Sequence, residues 1–293
     1  MNLRDLQYLV ALADTRHFGQ AAERCHVSQP TLSAQIKKLE AFLGVALVER
    51  RPRRLALTAA GEAVVERARR MLQDADDIRS LARARQDPLS GLLKVGLIPT
   101  LGPYLLPRIA PKLSRALPKL QLMLHEYQTA PLVDRVVKGE LDLAILALPA
   151  DTRGLQTRSM FGEAFLVAMP EKHRLATRRR LKAADLEGEK LLLLEEGHCL
   201  RNQALDVCAQ AGTEEQDFRA TSLETLRQMV AAGLGITLLP RLAAEGPFAS
   251  TRSLVVRPFA PPQPMRLIGA AWRRSSSRGK AIAAVCDVIE RLA

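Results

Sequence analysis

Two cysteines with a short spacing are the residues of this sequence best suited to chemistry. Cys199 lies in the segment GHCLR, directly after His198 and two residues before Arg201, and Cys208 follows nine residues later. The thiolate is the form of cysteine that attacks oxidants, but a free thiol with a pKa of about 8.5 is mostly protonated at neutral pH. Cys199 therefore needs an activating group. A helix that begins at Cys199 would supply one, because its free N–H groups carry partial positive charge. Arg201 points away from Cys199 on a regular helix, so a role for Arg201 requires an irregular first turn.

The composition excludes several other kinds of site. The chain has 293 residues, 47% hydrophobic and 25% charged, which is typical of a folded protein of about two domains. Its four cysteines are too few and too scattered for a secreted disulfide framework, so we expect a cytoplasmic protein with reduced thiols. Cys25 and Cys286 fall on apolar helix faces, which indicates packing. The sequence has no zinc-type Cys/His spacing, no glycine-rich phosphate loop and no long apolar segment, so we expect no metal, no cofactor and no membrane partner.

A helix-turn-helix is predicted in the first 58 residues. Two helices at 3–15 and 18–25 carry apolar residues at helical spacing, and a third is capped by Ser28 and ends at Gly44. The outer face of the third helix is polar and poor in acids, which suits base edges and phosphates. We expect its DNA contacts to come from Ser28, Gln29, Pro30, Thr31, Ser33, Gln35 and Lys37.

A basic hairpin is predicted directly after the third helix. Residues 47–48 and 55–57 can pair as short strands around a turn that holds four arginines within residues 50–54. Such a wing can lie over a phosphate backbone or enter a minor groove, so Arg50 and Arg53 join the predicted DNA contacts. An isolated basic turn is more often solvated surface, but the helix-turn-helix directly upstream, with its uncharged polar face, favours contact with DNA. The net charge of +12 is spread evenly over the chain and is a poor guide by itself.

A long helix is predicted next, over residues 59–87. Its apolar positions alternate at intervals of four and three residues, the spacing of a coiled-coil seam. The seam consists of Val64, Ala68, Met71, Ala75, Ile78 and Ala82. The alternative is a helix packed on its own domain. We interpret it as a dimerising linker, because a dimer would match an operator with two-fold symmetry.

The remainder of the chain alternates strand-like and helical segments. This order predicts α/β units with a mostly parallel sheet. Ligands bind at the carboxyl ends of strands in such sheets. Thr100, Thr129 and residues 195–198 follow predicted strands and are therefore the first places to look for an effector site.

Four segments resemble a known family. The N-terminal sequence MNLRDLQYLVALADTRHFGQAAERCHVSQPTLSAQIKKLEAFLGVALVERRPRRLALTAAG resembles the DNA-binding region of LysR-type transcriptional regulators. The segments GLIPTLGPYLLP, KLLLLEEGHCLRNQALDVCAQAG and FRATSLETLRQMVAAGLGITLLP resemble the peroxide-sensing members of that family.

The resemblance implies an α+β multidomain protein with a defined order of parts. Residues 1–58 would form an N-terminal winged helix-turn-helix, 59–87 the linker helix, and 88–293 a regulatory domain of two α/β subdomains, of periplasmic-binding-protein type. Subdomain I would span about 92–162 plus 267–293, and subdomain II about 163–266. The resemblance also implies a homodimer or homotetramer on double-stranded DNA, with RNA polymerase as a further partner and no enzymatic turnover.

The same resemblance implies a redox switch. Hydrogen peroxide would oxidise Cys199 and Cys208 would then form a disulfide with it, inside a pocket made by Thr100, Thr129, His198, Arg201 and Arg266. Nine residues of continuous helix separate two side chains by about 13.5 Å along the axis and place them on opposite faces. A disulfide needs Cα atoms within roughly 4.4 to 6.8 Å, so the helix would have to unwind. A cytosolic dithiol reductant would restore it.

Three other functions can be compared with this prediction. A LysR-type regulator of a small-molecule effector would leave the cysteines incidental, and the threonine hydroxyls would then be ordinary strand-end or capping groups. A thiol peroxidase has no use for a recognition helix, a wing and a dimerising rod. An architectural DNA binder has no use for α/β sensing units. We therefore predict a peroxide-responsive transcriptional regulator.

Overall fold

The structure, a computed structural model, describes residues 1–51, 54–84, 87–152, 154–208, 214–245 and 253–291. The chain divides into two compact units, Met1–Ala82 and Arg83–Ala293. In the described part of the chain, no helix has both the length and the apolar character needed to cross a membrane.

The first unit is a winged helix-turn-helix followed by a long helix. Its elements are α1 (Leu3–Thr15), α2 (Phe18–Arg24), α3 (Gln29–Leu43), β1 (Val48–Arg51), β2 (Arg54–Leu57) and α4 (Ala59–Ala84). Ser28 caps α3 by accepting a hydrogen bond from the backbone of Thr31, and Gly44 ends the helix in the left-handed conformation. Leu32, Ile36 and Leu39 form the buried side of α3, as its apolar spacing predicts. The wing is the antiparallel pair β1 and β2.

The first two residues of the predicted dimer seam on α4 are packed inside the first unit. Ala68 is buried in the first unit and Val64 packs against the same core. Gly61 allows this packing, because a Cβ at that position would lie 2.1 Å from the carbonyl oxygen of Leu47. A repeat of four and three residues does not distinguish a seam between two copies from a face packed on its own domain, and the first turns of α4 are of the second kind.

The rest of the predicted seam has a different environment. Met71 and Ile78 are exposed by 45% and 67% of their surface, and Ala75 is half-buried. The side chain of Ala82 lies outside the described residues.

The second unit contains two α/β cores. Its strands are β3 (Gly91–Leu97), β4 (Leu120–Glu126), β5 (Leu143–Leu148), β6 (Leu155–Pro170), β7 (Lys190–Leu194), β8 (Glu214–Ala220), β9 (Thr237–Pro240), β10 (Leu254–Pro258) and β11 (Met265–Arg273). Its α-helices are α5 (Gly102–Ala116), α6 (Thr129–Val137), α7 (Cys199–Cys208), α8 (Leu223–Ala231), α9 (Arg241–Glu245) and α10 (Gly279–Glu290), and a short 3₁₀ helix covers Ala183–Leu186.

The sheet is mixed, and the prediction of a mostly parallel sheet is wrong. The strand order is β10-β6-β11-β5-β3-β4, with β9 also paired to β6. The pairs β3–β4, β3–β5 and the separate pair β7–β8 are parallel. Every pairing of β6 and β11 is antiparallel. The alternation of strands and helices predicts the parallel pairs but carries no information on these two strands, which connect the cores.

The long strand β6 belongs to both cores, one at each of its ends. The first core contains β3, β5, α5, α6 and α10, and β6 contributes Leu155 to it. The second core contains β7, α7, α8 and β9, and β6 contributes Phe165 to it. The elements that carry Thr100, Thr129 and Cys199 therefore come from different cores, and they meet where the two cores adjoin.

Candidate functional site

Cys199 is the first residue of α7, directly after the loop that follows β7. Gly197 in this loop has a φ of +94°, a conformation that favours glycine. A Cβ at Gly197 would also lie 2.4 Å from Oε1 of Gln128, the residue before α6. Glycine at this position therefore allows the loop to turn and lets the two cores approach each other beside Cys199.

The two cysteines lie on opposite sides of one continuous helix. Neither cysteine forms a disulfide in the described structure. Cys199 is half-buried and packs against the first core, whereas Cys208 is 1% exposed within the second core. Helix α7 is continuous from Cys199 to Cys208. The described conformation thus matches the geometry expected of the reduced protein, in which the two sulfur atoms cannot meet without a change in the helix.

A narrow pocket brings together most of the predicted site residues. Thr100, Thr129, His198 and Cys199 line it, and the remaining lining residues are Ile98, Pro99 and Gln128. Oγ1 of Thr129 is buried and has no hydrogen-bond partner within the described residues. A buried hydroxyl without a partner is costly, so this one is available to a small polar ligand.

A wider groove leads to the same sulfur atom. Its volume is about 410 Å³, and it shares Thr129, His198 and Cys199 with the narrow pocket. Its other lining residues are apolar or small, apart from Asn202 and the two acidic residues Asp134 and Asp151. The groove gives a small polar solute a route to Cys199.

Arg266 does not line the pocket but contacts it through Thr100. Its side chain is buried, and its Nη1 donates to Oγ1 of Thr100 at 3.0 Å while Nη2 donates to the Thr100 carbonyl oxygen at 3.1 Å. Nε donates to Oε2 of Glu163 at 2.8 Å. In the described conformation these bonds direct the guanidinium at Glu163 and Thr100, and a direct contact of Arg266 with a ligand stays a prediction.

Arg201 is also absent from the walls of the pocket and the groove. Its backbone N–H donates to the carbonyl oxygen of His198 at 3.0 Å, an i→i−3 bond of the 3₁₀ type at the start of α7. A side chain two positions after Cys199 consequently points to another side of the helix.

His198 is buried, and this determines its charge. It is 6% exposed. Burial lowers the pKa of its imidazole below the ordinary value of 6.5, although Glu195 and a hydrogen bond with the backbone of Thr221 act in the opposite direction. The imidazole is therefore neutral at neutral pH. At neutral pH His198 therefore places no imidazolium charge beside Cys199.

The predicted DNA contacts lie on the outer face of α3. Ser28, Gln29, Pro30, Thr31 and Lys37 are exposed, whereas Ser33 and Gln35 are half-buried. Ser28 and Thr31 also hydrogen-bond each other, with 2.7 Å between their hydroxyl oxygens. The backbone of Arg50 belongs to β1, but its side chain and the whole of Arg53 lie outside the described residues.

The structure adds one residue that sequence reasoning missed. Glu163 on β6 pairs with Arg266 at the edge of the pocket. The available signal was a lone acid within the apolar strand sequence FGEAFLVAM, because a buried carboxylate needs a partner. Within the described residues, no group of three His, Cys, Asp or Glu side chains is arranged to hold a metal ion.

Comparison with known proteins gives the same family for both units. Residues 3–62 match the lysR family of bacterial regulatory helix-turn-helix proteins, and residues 86–293 match the LysR substrate binding domain. The DNA-binding transcriptional dual regulator OxyR of Escherichia coli (strain K12) is 50% identical over 277 residues, which cover 94% of this chain and 90% of that protein. A hydrogen peroxide-inducible genes activator of Dickeya chrysanthemi is 51% identical over 278 residues, with the same coverage of each chain.

A solved structure agrees with these relatives. A full-length OxyR variant from Pseudomonas aeruginosa is 43% identical and has a TM-score of 0.80, covering 100% of this chain and 96% of that one. The predicted fold class is thereby confirmed. The chain belongs to the LysR family of bacterial transcriptional regulators.

Proposed function

We propose that this protein is a DNA-binding regulator that senses hydrogen peroxide at Cys199 and records the signal as a reversible disulfide with Cys208. The observation that carries the proposal is the position of the two thiols. One begins α7 in a pocket with two threonine hydroxyls, and the other ends the same helix inside a separate core. The names of the relatives from Escherichia coli and Dickeya chrysanthemi support the signal and the response.

The first step is the oxidation of Cys199. Its thiolate attacks one oxygen of hydrogen peroxide, so that an S–O bond forms and the O–O bond breaks. The departing hydroxide takes up a proton and leaves as water, and Cys199 becomes a sulfenic acid. The hydroxyls of Thr100 and Thr129 can donate hydrogen bonds to the two peroxide oxygens, and the N-terminus of α7 favours the thiolate.

The second step transmits the signal. The sulfur of Cys208 attacks the sulfenic sulfur of Cys199, an S–S bond forms and water is released. Because α7 separates the two side chains, this bond requires the helix to unwind and Cys208 to leave the second core. A cytosolic dithiol would reduce the bond, becoming a disulfide itself, and α7 would reform.

The DNA-bound form is part of the same proposal. A homodimer or homotetramer presents several α3 helices to double-stranded promoter DNA, with the arginine wing on the phosphate backbone. A change in the second unit would alter the spacing of these contacts and the access of RNA polymerase. The protein would act in the cytoplasm, where the dithiol reductant is found.

Footprinting of the full-length protein on genomic DNA fragments tests this function. We expect reduced protein and protein treated with one equivalent of peroxide to protect different lengths of DNA, and dithiol treatment to reverse the difference. Cys199→Ser should keep the reduced footprint after peroxide treatment. Cys208→Ser should still form a sulfenic acid but lose the footprint change.

Two results would contradict the proposal. A peroxide-dependent footprint that survives Cys199→Ser would show that these cysteines are incidental. Catalytic consumption of many peroxide equivalents per subunit, in the presence of a dithiol and without a change in DNA contacts, would indicate a peroxidase.

A further inference from the structure

We infer that Glu163 is a positioning residue for the peroxide reaction, acting through Arg266 to fix the direction of the Thr100 hydroxyl proton. This inference rests on the proposed function. Glu163 contacts neither the pocket nor Cys199, so its effect must pass through the two residues that connect it to the pocket.

The carboxylate of Glu163 is fixed by contacts at both oxygens. Glu163 is 4% exposed and faces Arg266 across the β6–β11 pairing, where the two residues are direct partners. Oε2 accepts from Nε of Arg266 and also lies 2.8 Å from Nη2. Oε1 accepts from the backbone N–H of Leu242 at 2.8 Å, within α9. Three elements therefore hold the carboxylate in one orientation.

Arg266 transfers this orientation to Thr100. A guanidinium only donates hydrogen bonds, so Oγ1 of Thr100 acts as the acceptor in its 3.0 Å contact with Nη1. The proton of the Thr100 hydroxyl must then point away from Arg266. Thr100 lines the pocket beside Cys199, and we expect its hydroxyl to donate into that pocket.

A donor with a fixed direction assists the cleavage of peroxide. Negative charge develops on the departing oxygen as the O–O bond breaks, and a hydrogen bond already aimed at that oxygen stabilises the transition state more than a freely rotating hydroxyl does. Arg266 can hold Thr100 in this state only while its own buried charge is balanced. Glu163 is the carboxylate that pairs with it, and a buried guanidinium without such a partner is strongly destabilised.

The test compares two reactions of Cys199 in the full-length reduced protein. One is oxidation by hydrogen peroxide, and the other is alkylation by iodoacetamide, whose iodide leaving group requires no proton. We expect Glu163→Gln to lower the second-order rate constant for peroxide by at least about tenfold. The rate constant for alkylation should remain close to that of the parent protein, because the α7 N-terminus is unchanged. Glu163→Asp keeps the charge and should recover part of the lost rate.

The matched control is Glu290→Gln. It removes a carboxylate from an ion pair with Arg158 on the same strand β6, at 2.6 Å, but five residues away from Glu163. This variant should leave the ratio of the two rate constants unchanged. A parallel loss of both reactions in Glu163→Gln, or an unchanged peroxide rate, would overturn the inference.

The variant Thr100→Val distinguishes a failure of the inference from misfolding of Glu163→Gln. Thr100→Val should cause the same selective loss of the peroxide reaction. Glu163→Gln should add little to the loss in the Thr100→Val background, because both changes remove the same hydrogen bond. If Glu163→Gln does not fold, a Thr100→Val protein that keeps the parent peroxide rate overturns the inference. A parent protein whose Cys199 reacts with peroxide no faster than free cysteine would instead refute the proposed function itself.

Discussion

At the scale of single residues, His198 limits how Cys199 can be activated. Because burial lowers the imidazole pKa below 6.5, we expect NMR titration of the folded protein to give a lower value for His198 than titration of the chain unfolded in denaturant. The unfolded chain then binds more protons between the two values. The free energy of unfolding should therefore fall as the pH drops below about 6.5, with no contribution from His198 above it.

The substitution His198→Gln isolates this effect. The variant should lose less stability than the parent protein between pH 7 and pH 5, because the parent carries the additional cost of keeping His198 neutral. A folded-state pKa above 6.5 would contradict this prediction. It would show that an ion pair with the Cys199 thiolate outweighs the loss of solvation.

The residues of the pocket differ in how far the sequence could predict them. Cys199 and His198 belong to one short motif, and Thr100 and Thr129 follow predicted strands, so local sequence was sufficient to propose them. Glu163 was missed because its partner Arg266 is 103 residues away. The indirect position of Arg266 depends on the register of β6 with β11, which no local pattern specifies.

At the scale of elements, the proposed disulfide requires α7 to open, so we expect the stability of α7 to control disulfide formation. Asp206 is an exposed position of this helix. Asp206→Gly and Asp206→Ala differ by about 1 kcal/mol in helix propensity. We expect the disulfide to close up to about fivefold faster in the glycine variant than in the alanine variant.

Stopped-flow measurement with thiol quantification at each time point checks this prediction. The first step serves as the internal control, because the rate of sulfenic acid formation should be equal in the two variants. Equal rates of disulfide closure would show that α7 does not open before the slow step. The slow step would then be the exit of Cys208 from the second core.

Element boundaries and element pairing also differ in how well sequence predicts them. The spacing of apolar residues and the cap at Ser28 predicted α3 closely. The direction of β6 and β11 was not predicted, because a strand in a connection between two cores has the same composition as a strand inside one. The prediction of a mostly parallel sheet failed for this reason alone.

At the scale of the whole molecule, the order of the parts follows from the sequence, but the contacts of α4 do not. The helix-turn-helix and the sensing unit each have local signatures, and the LysR family is confirmed for both. One apolar repeat on α4 lies in two environments, since Val64 and Ala68 are packed inside the first unit while Met71 and Ile78 are exposed. Only the three-dimensional structure distinguishes these two halves.

The exposed half of the α4 repeat is predicted to form the contact between two copies of the chain. Met71 and Ile78 are seven residues apart, so they lie on one stripe of α4, and a second copy that covers this stripe would remove two large apolar side chains from water. We expect Ile78→Glu to weaken self-association strongly in sedimentation equilibrium, because it places a charge in that contact. Ala63→Glu adds the same charge at an exposed position of the same helix and should not change association. Equal behaviour of the two variants would show that copies of the chain associate through another surface, whereas loss of the fold in Ile78→Glu, detected by circular dichroism, would place Ile78 in an intramolecular contact.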